Sequence, residues 1–316
     1  MAEPKSSPGR FTVPVLAWQH YISPRYWLMW LLFGGLKLSI FLPYSWAMTI
    51  GGSLGRLMYW VLPKRRQVAA TNLALCFPTL NPTDQKNLLW QSARHLGYGV
   101  AETARAWWAS DQQLQPLIRQ VNGLAIVEQA IANQQPVLLL SAHVTCLDIG
   151  GRFLSMLLPS AQYVYKKARH PLFNAMMVYR RSLKYNSAGF ERKDTRGIIR
   201  SLRAGRPIWY APDQNFNTEE LVFAPFFGTP AATVTATARL ARLGKAIVIP
   251  YLPKRVAGGY ELSFLPPIEN FPSGDDLTDA TRVNQIVEQA ILAAPEQYMW
   301  VHKRFKNRPP DTPAIY

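Results

Sequence analysis

A short loop in the middle of the chain combines a histidine, a cysteine and an aspartate. His143, Cys146 and Asp148 directly follow the apolar run 136–141. A carboxylate that accepts from one imidazole nitrogen fixes the tautomer and leaves the other nitrogen free to act as a base. Residues five apart on one helix point about 140° from each other. The prediction of a His143/Asp148 catalytic pair therefore requires a turn at His143, with Asp148 in the first turn of the next helix.

Two other interpretations of this loop stay open. Cys146 would be a nucleophile if its thiolate lay within hydrogen-bond reach of the base, and an acyl-enzyme trapped on it would identify that chemistry. Its apolar neighbours Val144, Leu147 and Ile149 favour a packed residue instead. A histidine and an aspartate that only cap a helix also fit so short a pattern.

Basic residues and a second aspartate lie further along the chain. Arg180 and Arg181 fall near the end of a helix predicted over 171–186, and Arg192 follows soon after. Asp213 leaves an apolar strand through a proline, much as His143 leaves the earlier one. Guanidinium groups bind phosphate or carboxylate through paired donors, and Asp213 could hold one such arginine. We predict that these four residues bind substrate, against the alternative of a solvated charged face.

The sequence contains no recognisable metal or nucleotide motif. His20, His95, His170 and His302 are scattered, and no C-x-x-C or H-E-x-x-H pattern occurs. Phosphate-binding glycine loops and nucleic-acid motifs are also absent from the sequence. We therefore expect no metal, no cofactor and no nucleic-acid partner.

The composition indicates a folded protein with anionic partners. Apolar residues make up 48% of the 316 residues and charged residues 17%, which excludes a disordered chain. Two cysteines are too few for a disulfide framework. The formal charge of +16 favours acidic membranes, phosphorylated ligands or acidic proteins as partners.

Apolar strands alternate with helices through most of the chain. This pattern predicts an α/β fold with a mixed, mostly parallel central sheet covered by helices. Helices are expected through much of 67–120. The strands expected after that are 136–141, 162–165, 207–211, 246–251 and 260–265, and the helices are 124–133, 171–186, 231–243 and 279–293.

The amino end differs from the rest of the chain. We divide the chain into a polar tail (1–25), a membrane-anchoring hydrophobic segment (26–62) and a catalytic domain (63–316). Residues 27–47 are long enough and apolar enough to predict one membrane span. The alternative is a buried or interfacial hairpin broken at Pro43. Basic residues directly after the segment favour a cytoplasmic catalytic domain.

Several blocks together resemble the late (secondary) lipid A acyltransferases of Gram-negative bacteria, within the wider H-x4-D/E glycerolipid acyltransferase group. The resemblance runs nearly end to end and rests on the order and spacing of the blocks. They are PRYWL at 24–28, NLALCFP at 72–78, the His143/Asp148 box, ERKD at 191–194, WYAPD at 209–213, PEQYMW at 295–300 and KRFKNRP at 303–309.

The resemblance implies a reaction and a place for it. The expected reaction moves a fatty acyl chain from acyl carrier protein to a hydroxyl on a 3-hydroxyacyl chain of a Kdo-bearing lipid A precursor, in lipopolysaccharide biosynthesis at the cytoplasmic face of the inner membrane. His143 matches the family's base, Asp148 its acidic partner, and Arg181 and Asp213 its further functional residues. The 209–213 block is more like the branch that adds the first, lauroyl-type secondary chain, although that branch often has Glu at position 148. The alternatives are a Cys146-dependent thioester hydrolase or transferase and a non-catalytic, basic, membrane-associated lipid-binding protein, whose ligand binding would survive loss of both His143 and Asp148.

Overall fold

A seven-stranded mixed sheet forms the centre of the protein in the computed structural model, which describes residues 13–187, 189–215 and 220–316. The strands are β1 (Ile118–Asn122), β2 (Val137–Leu140), β3 (Gln162–Tyr165), β4 (Gly189–Glu191), β5 (Ile208–Tyr210), β6 (Leu221–Phe226), β7 (Thr229–Val234), β8 (Ile247–Val256) and β9 (Gly259–Phe264). The order in the large sheet is β1-β9-β8-β2-β5-β3-β4, and β6 and β7 form a separate hairpin. Among the described strands of the large sheet only β8 and β9 pair antiparallel, so the predicted mostly parallel α/β architecture is confirmed.

Helices surround this sheet. Short 3-10 turns occur at Trp18–Tyr21, Pro24–Tyr26, Gln115–Leu117 and Pro295–Gln297. The α-helices are α1 (Trp27–Ser39), α2 (Tyr44–Val61), α3 (Pro63–Cys76), α4 (Pro82–Trp108), α5 (Asp111–Leu114), α6 (Leu124–Ala132), α7 (Leu147–Leu157), α8 (Pro171–Tyr185), α9 (Thr195–Arg203), α10 (Ala236–Gly244) and α11 (Asp276–Ala293).

The buried central strands place several loops at one edge of the sheet. All four residues of β2 are buried because the sheet is covered on both faces, which explains its unbroken apolar sequence. Strands β2, β5, β3 and β4 run parallel, so their carboxyl ends lie at the same edge. The segments that leave these ends carry His143, Lys166, Arg192 and Asp213. Such an edge is where open α/β sheets form their sites.

The prediction of a helix over 231–243 places its first residue too early. Helix α10 begins at Ala236, and the residues before it form β7, which pairs with β6. Phe227 and Gly228 connect the two strands with φ angles of 49° and 74°. Positive φ at both central residues is typical of a tight hairpin turn whose twist matches its strands. The small residues of β7 fit a buried strand, so helix propensity alone misled the prediction.

The hydrophobic amino-terminal segment forms two helices. The predicted single span over 27–47 is wrong because α1 ends at Ser39 and α2 begins after Pro43. Pro43 precedes the first turn of α2, where the missing N–H of a proline costs little. Within the described part of the chain, no helix has both the length and the apolar character needed to cross a bilayer. Residues 1–12 of the predicted polar tail lie outside the described residues.

Helix α2 is held against α4 by glycines. A Cβ on Gly97 would lie 2.0 Å from the carbonyl oxygen of Gly51 and 2.5 Å from the backbone nitrogen of Gly55. These separations are shorter than van der Waals contact, so the two helix backbones approach as closely as they do only because glycine occupies these positions. The amino-terminal hairpin is thereby fixed to the same helix, α4, that packs against α7 and α8 near the catalytic loop.

Candidate active site

His143 lies in the loop between β2 and α7 and is bound twice by Asp213. The imidazole Nδ1 is 2.6 Å from Asp213 Oδ1. The backbone N–H of His143 donates to Asp213 Oδ2 over 3.0 Å. Since β2 and β5 are neighbouring parallel strands, the segments that follow them meet, and this is why two residues far apart in sequence form a pair.

The charge on Asp213 determines which imidazole nitrogen carries the proton. Burial alone would raise the pKa of this carboxyl, but the charge and hydrogen bonds of His143 lower it to about 2. Asp213 is therefore an ionised acceptor, so Nδ1 of a neutral His143 holds the proton and Nε2 has the free lone pair. The Asp213 side chain is fully buried, whereas 20% of the His143 side chain is exposed. A substrate hydroxyl can thus reach the imidazole without reaching the carboxylate.

Asp148 has a different partner from the one predicted. The hydrogen bond expected between His143 and Asp148 is replaced by the bond between His143 and Asp213, while Asp148 binds Arg181. Both Nε and Nη2 of Arg181 lie 2.8 Å from Asp148 Oδ1. The predicted turn before α7 is present, but it directs the Asp148 carboxylate towards α8 rather than towards the imidazole.

The four predicted substrate-binding residues occupy distinct positions. Asp213 holds the histidine rather than an arginine, and Arg181 holds Asp148. Burial opposes the charge on Arg181, but the adjacent carboxylate outweighs it and raises the pKa of this guanidinium. Arg180 instead stacks on the ring of Trp108 at 5.0 Å. Arg192 follows β4, and its backbone N–H donates to the carbonyl of Tyr165.

A segment close to the carboxyl end holds the catalytic loop in place. The backbone N–H of Met299 donates to the carbonyl of His143, and Val144 forms an antiparallel bridge with Tyr298. The backbone N–H of Thr145 donates to the carbonyl of Gln297 over 2.7 Å. We call residues 297–299 the strap. Three successive loop residues are bound to it, so the backbone around His143 is determined by main-chain contacts.

A buried ion pair supports the strap. Arg255 Nη2 and Nε each lie 2.6 Å from a carboxylate oxygen of Glu102, and Nη2 also donates to the Thr145 hydroxyl. The amide side chain of Gln297 accepts from the backbone N–H of Arg255 and donates to its carbonyl. Tyr260 donates its hydroxyl proton to Glu102 over 2.6 Å. The pair thus connects α4, β8, the strap and the catalytic loop.

The sequence interpretation missed this network. Glu102 is the only carboxylate between Gly97 and Trp108, a stretch of mostly small and apolar residues on α4. A charged residue on the buried face of a helix is a signal for a partner, because an unpaired buried charge is very costly. That signal does not identify Arg255, which a different element supplies.

The contacts of Cys146 do not suit a nucleophile. The residue is completely buried, and its Sγ lies 3.6 Å from the carbonyl oxygen of Pro253. Burial raises the pKa of the thiol to about 12, so the reactive thiolate is not formed near neutral pH. Cys146 is a packing residue at the start of α7.

Together these contacts suit a general base at the carboxyl edge of a parallel sheet. Within the described ranges, no group of three or more His, Cys, Asp or Glu side chains is arranged to hold a metal ion. One imidazole nitrogen faces an ionised carboxylate and the other is available to a proton donor. This arrangement can deprotonate a hydroxyl and pass the proton to a leaving group.

Comparisons with known proteins identify the family. The sequence profile of the bacterial lipid A biosynthesis acyltransferases matches residues 17–307. The chain is 36% identical over 298 residues to a lipid A biosynthesis lauroyltransferase of Escherichia coli (strain K12), covering 93% of this chain and 96% of the relative. It is 32% identical over 301 residues to the lipid A biosynthesis palmitoleoyltransferase of that strain, which covers 94% of this chain and 97% of the relative. The lipid A biosynthesis myristoyltransferase of the same strain is 28% identical over 292 residues, which covers 91% of this chain and 89% of the relative.

The fold and site therefore belong to an acyltransferase. The chain is a member of the bacterial lipid A biosynthesis acyltransferase family, and the family resemblance expected from the sequence is confirmed.

Proposed function

We propose that the protein transfers a fatty acyl chain from acyl carrier protein to a hydroxyl of a 3-hydroxyacyl chain on a Kdo-bearing lipid A precursor. The observation that carries this proposal is the His143–Asp213 pair, which supplies a base of the correct tautomer in a member of this family. The lauroyltransferase is 36% identical and the myristoyltransferase 28%, which favours a lauroyl-type enzyme that adds the first secondary chain.

The reaction proceeds by direct attack. Nε2 of His143 removes the proton of the acceptor hydroxyl as its oxygen bonds to the thioester carbon. The carbon–sulfur bond then breaks, and the proton passes from the imidazolium to the departing thiolate. Asp213 stabilises the imidazolium while it exists and keeps the ring oriented. Positioned proton transfer of this kind contributes about 10²–10⁴ in rate.

Asp148 and Arg181 serve the same site in another way. Asp148 lies in the first turn of α7, and its carboxylate fixes the guanidinium of Arg181 beside that helix terminus. Negative charge develops on the thioester oxygen during attack. The positive end of α7 and the adjacent guanidinium are suited to stabilise it, and a single such donor is worth about 3–4 kcal/mol.

We propose that the enzyme associates with the inner membrane through its amino-terminal hairpin, with the site facing the cytoplasm. Many large apolar side chains on and around α1 and α2 are exposed, with Leu28, Leu31 and Phe41 at 80%, 73% and 73%. Tryptophan side chains at both ends of the hairpin suit the boundary between headgroups and acyl chains. The other exposed apolar side chains of this region are Trp27, Leu32, Leu38, Trp46, Ile50, Leu54, Leu57, Trp60, Val61 and Leu62.

The alternative mechanism through Cys146 has little support. Its thiol is buried and protonated, and direct transfer needs no covalent enzyme intermediate. A Cys146-dependent hydrolase or transferase would leave an acyl group on this residue, which mass spectrometry of the protein detects after denaturation.

Mass spectrometry of the acceptor tests the function. The purified full chain is incubated with the Kdo-bearing precursor and a panel of acyl carrier proteins that differ in acyl length. We expect one ester to be added, with lauroyl preferred, and fragmentation reports its position. The His143→Ala variant is the control for transfer that does not depend on the base. No acyl product with any donor would refute the proposed function.

A further inference from the structure

A strongly basic depression opens beside the catalytic pair. It has a volume of about 1200 Å³, larger than an ordinary small-molecule site. Six lysine and arginine side chains from three separate parts of the chain line it, and Arg192 adds a further guanidinium. The six are Lys64 and Arg65 of α3, Lys166 and Arg169 between β3 and α8, and Lys303 and Lys306 after the strap. We call them the basic ring.

The basic ring has no acidic counterpart in the described residues. No Asp or Glu side chain lines the depression, and none of the six residues forms an ion pair with a carboxylate anywhere in the described ranges. Concentrating like charges in a concave surface raises the potential there and costs stability through repulsion. An arrangement of this kind is favourable when an anion fills it.

The depression adjoins the catalytic pair. His302 lines it and accepts a hydrogen bond from the backbone N–H of Asn215, two residues after Asp213. Burial, followed by the charge on His143, lowers the pKa of His302 to about 4. His302 is thus a neutral residue that lines the depression and contacts the segment that carries Asp213, so the depression and the catalytic pair are neighbours.

The other side of the depression adjoins the exposed apolar surface. Lys64 and Arg65 lie in the first turn of α3, which begins at Pro63 directly after Trp60, Val61 and Leu62, and these three are 65%, 60% and 40% exposed. A ligand in the ring is therefore close both to the exposed apolar surface and to the catalytic pair. This is the arrangement expected for an amphiphile whose acyl chains stay in a membrane while its anionic headgroup enters the protein.

We propose that the basic ring binds the phosphate groups of the acceptor lipid's headgroup and thereby sets which hydroxyl reaches His143. The proposal rests on the proposed function and assigns a site to its acceptor. A depression of this volume that is lined by three separate parts of the chain suits a sugar-phosphate headgroup, whereas the convex surface of a folded acidic protein would contact mainly its rim. Acyl carrier protein is accordingly expected to dock elsewhere.

Binding measured without turnover tests this assignment. The full-length His143→Ala protein is titrated with phosphatidylcholine vesicles that carry the Kdo-bearing precursor, or the same precursor after phosphatase treatment. The site variant adds Arg169→Gln and Lys303→Gln. The control variant adds Lys86→Gln and Arg196→Gln, which remove equal charge from exposed positions outside the depression. Vesicles containing phosphatidylglycerol measure general attraction to anionic lipid.

The site variant should bind the phosphorylated precursor at least about tenfold more weakly, because two charged contacts are lost. The control variant should bind it as the parent does, and both variants should bind the dephosphorylated precursor equally. Equal affinity of the site and control variants for the phosphorylated precursor would overturn the proposal, as would a loss confined to vesicles containing phosphatidylglycerol. If the protein bound the precursor as expected but transferred no acyl chain, the proposed function would be contradicted and the assignment of the phosphate site would stand.

Discussion

The two contacts between His143 and Asp213 make the Asp213→Asn substitution informative. The backbone N–H of His143 needs an acceptor, so the carbonyl oxygen of the new amide stays on it. The NH₂ group of the introduced amide then faces Nδ1 and donates to it. A neutral imidazole in this position carries its proton on Nε2, which removes the lone pair that the reaction requires.

The loss of rate can be estimated from this geometry. Without the correct tautomer the site loses the general-base contribution, about 10²–10⁴ in kcat. That factor corresponds to about 3–5 kcal/mol of activation free energy. The side chains have nearly the same shape and the site is buried, so KM for the donor should change little.

Steady-state kinetics with acyl carrier protein measures the effect, and ¹⁵N NMR of the labelled histidine shows which nitrogen is protonated. Asp148→Asn is the matched control, because it removes the same charge from the site but leaves His143 and Asp213 together. We expect Asp148→Asn to lower activity through Arg181 while the proton stays on Nδ1. The reasoning is refuted if Asp213→Asn keeps kcat within about tenfold of wild type, or if both variants give the same tautomer.

Three further substitutions test other parts of the structure, and acid unfolding tests Asp213 in a second way. Glu102→Gln leaves Arg255 with an unpaired buried charge and should lower the free energy of unfolding by about 3–5 kcal/mol, as measured by urea denaturation. Cys146→Ser should keep activity within about tenfold of wild type in the transfer assay, whereas a nucleophile would lose nearly all of it. Gly97→Ala overpacks α2 against α4 and should cost about 1–3 kcal/mol in thermal unfolding. Because the pKa of Asp213 falls from 3.8 to about 2 on folding, its stabilisation is complete above about pH 4 and is lost as the pH falls towards 2; acid unfolding should be less steep in Asp213→Asn.

The sequence predicts the layer architecture better than it predicts the pairing of side chains. Strand β2 is apolar throughout because it is buried on both faces, and this signal is local. The position of His143 directly after such a strand is equally local. Which carboxylate meets His143 depends on β2 and β5 being neighbours, and no local pattern records strand order. Spacing along the chain favours Asp148, whereas Asp213 is the partner because its strand lies alongside.

The remaining errors have the same origin. Residues 27–47 are apolar enough for a span, but a proline at 43 and an early end to α1 produce a hairpin. The 231–243 region has high helix propensity, yet pairing with β6 determines its first residues. The basic ring comes from segments too distant in sequence for spacing to indicate, and the overall positive charge predicts anionic partners without placing them.

The strap has a consequence for the order in which the enzyme is built. Chains emerge from the ribosome amino end first, and the catalytic loop receives its main-chain partners only when residues 297–299 appear. The apolar hairpin precedes these residues by more than 200 positions and is therefore synthesised earlier. A nascent chain therefore contains its apolar hairpin well before its histidine is correctly held, so that acyl transfer cannot begin until residues 297–299 have been synthesised.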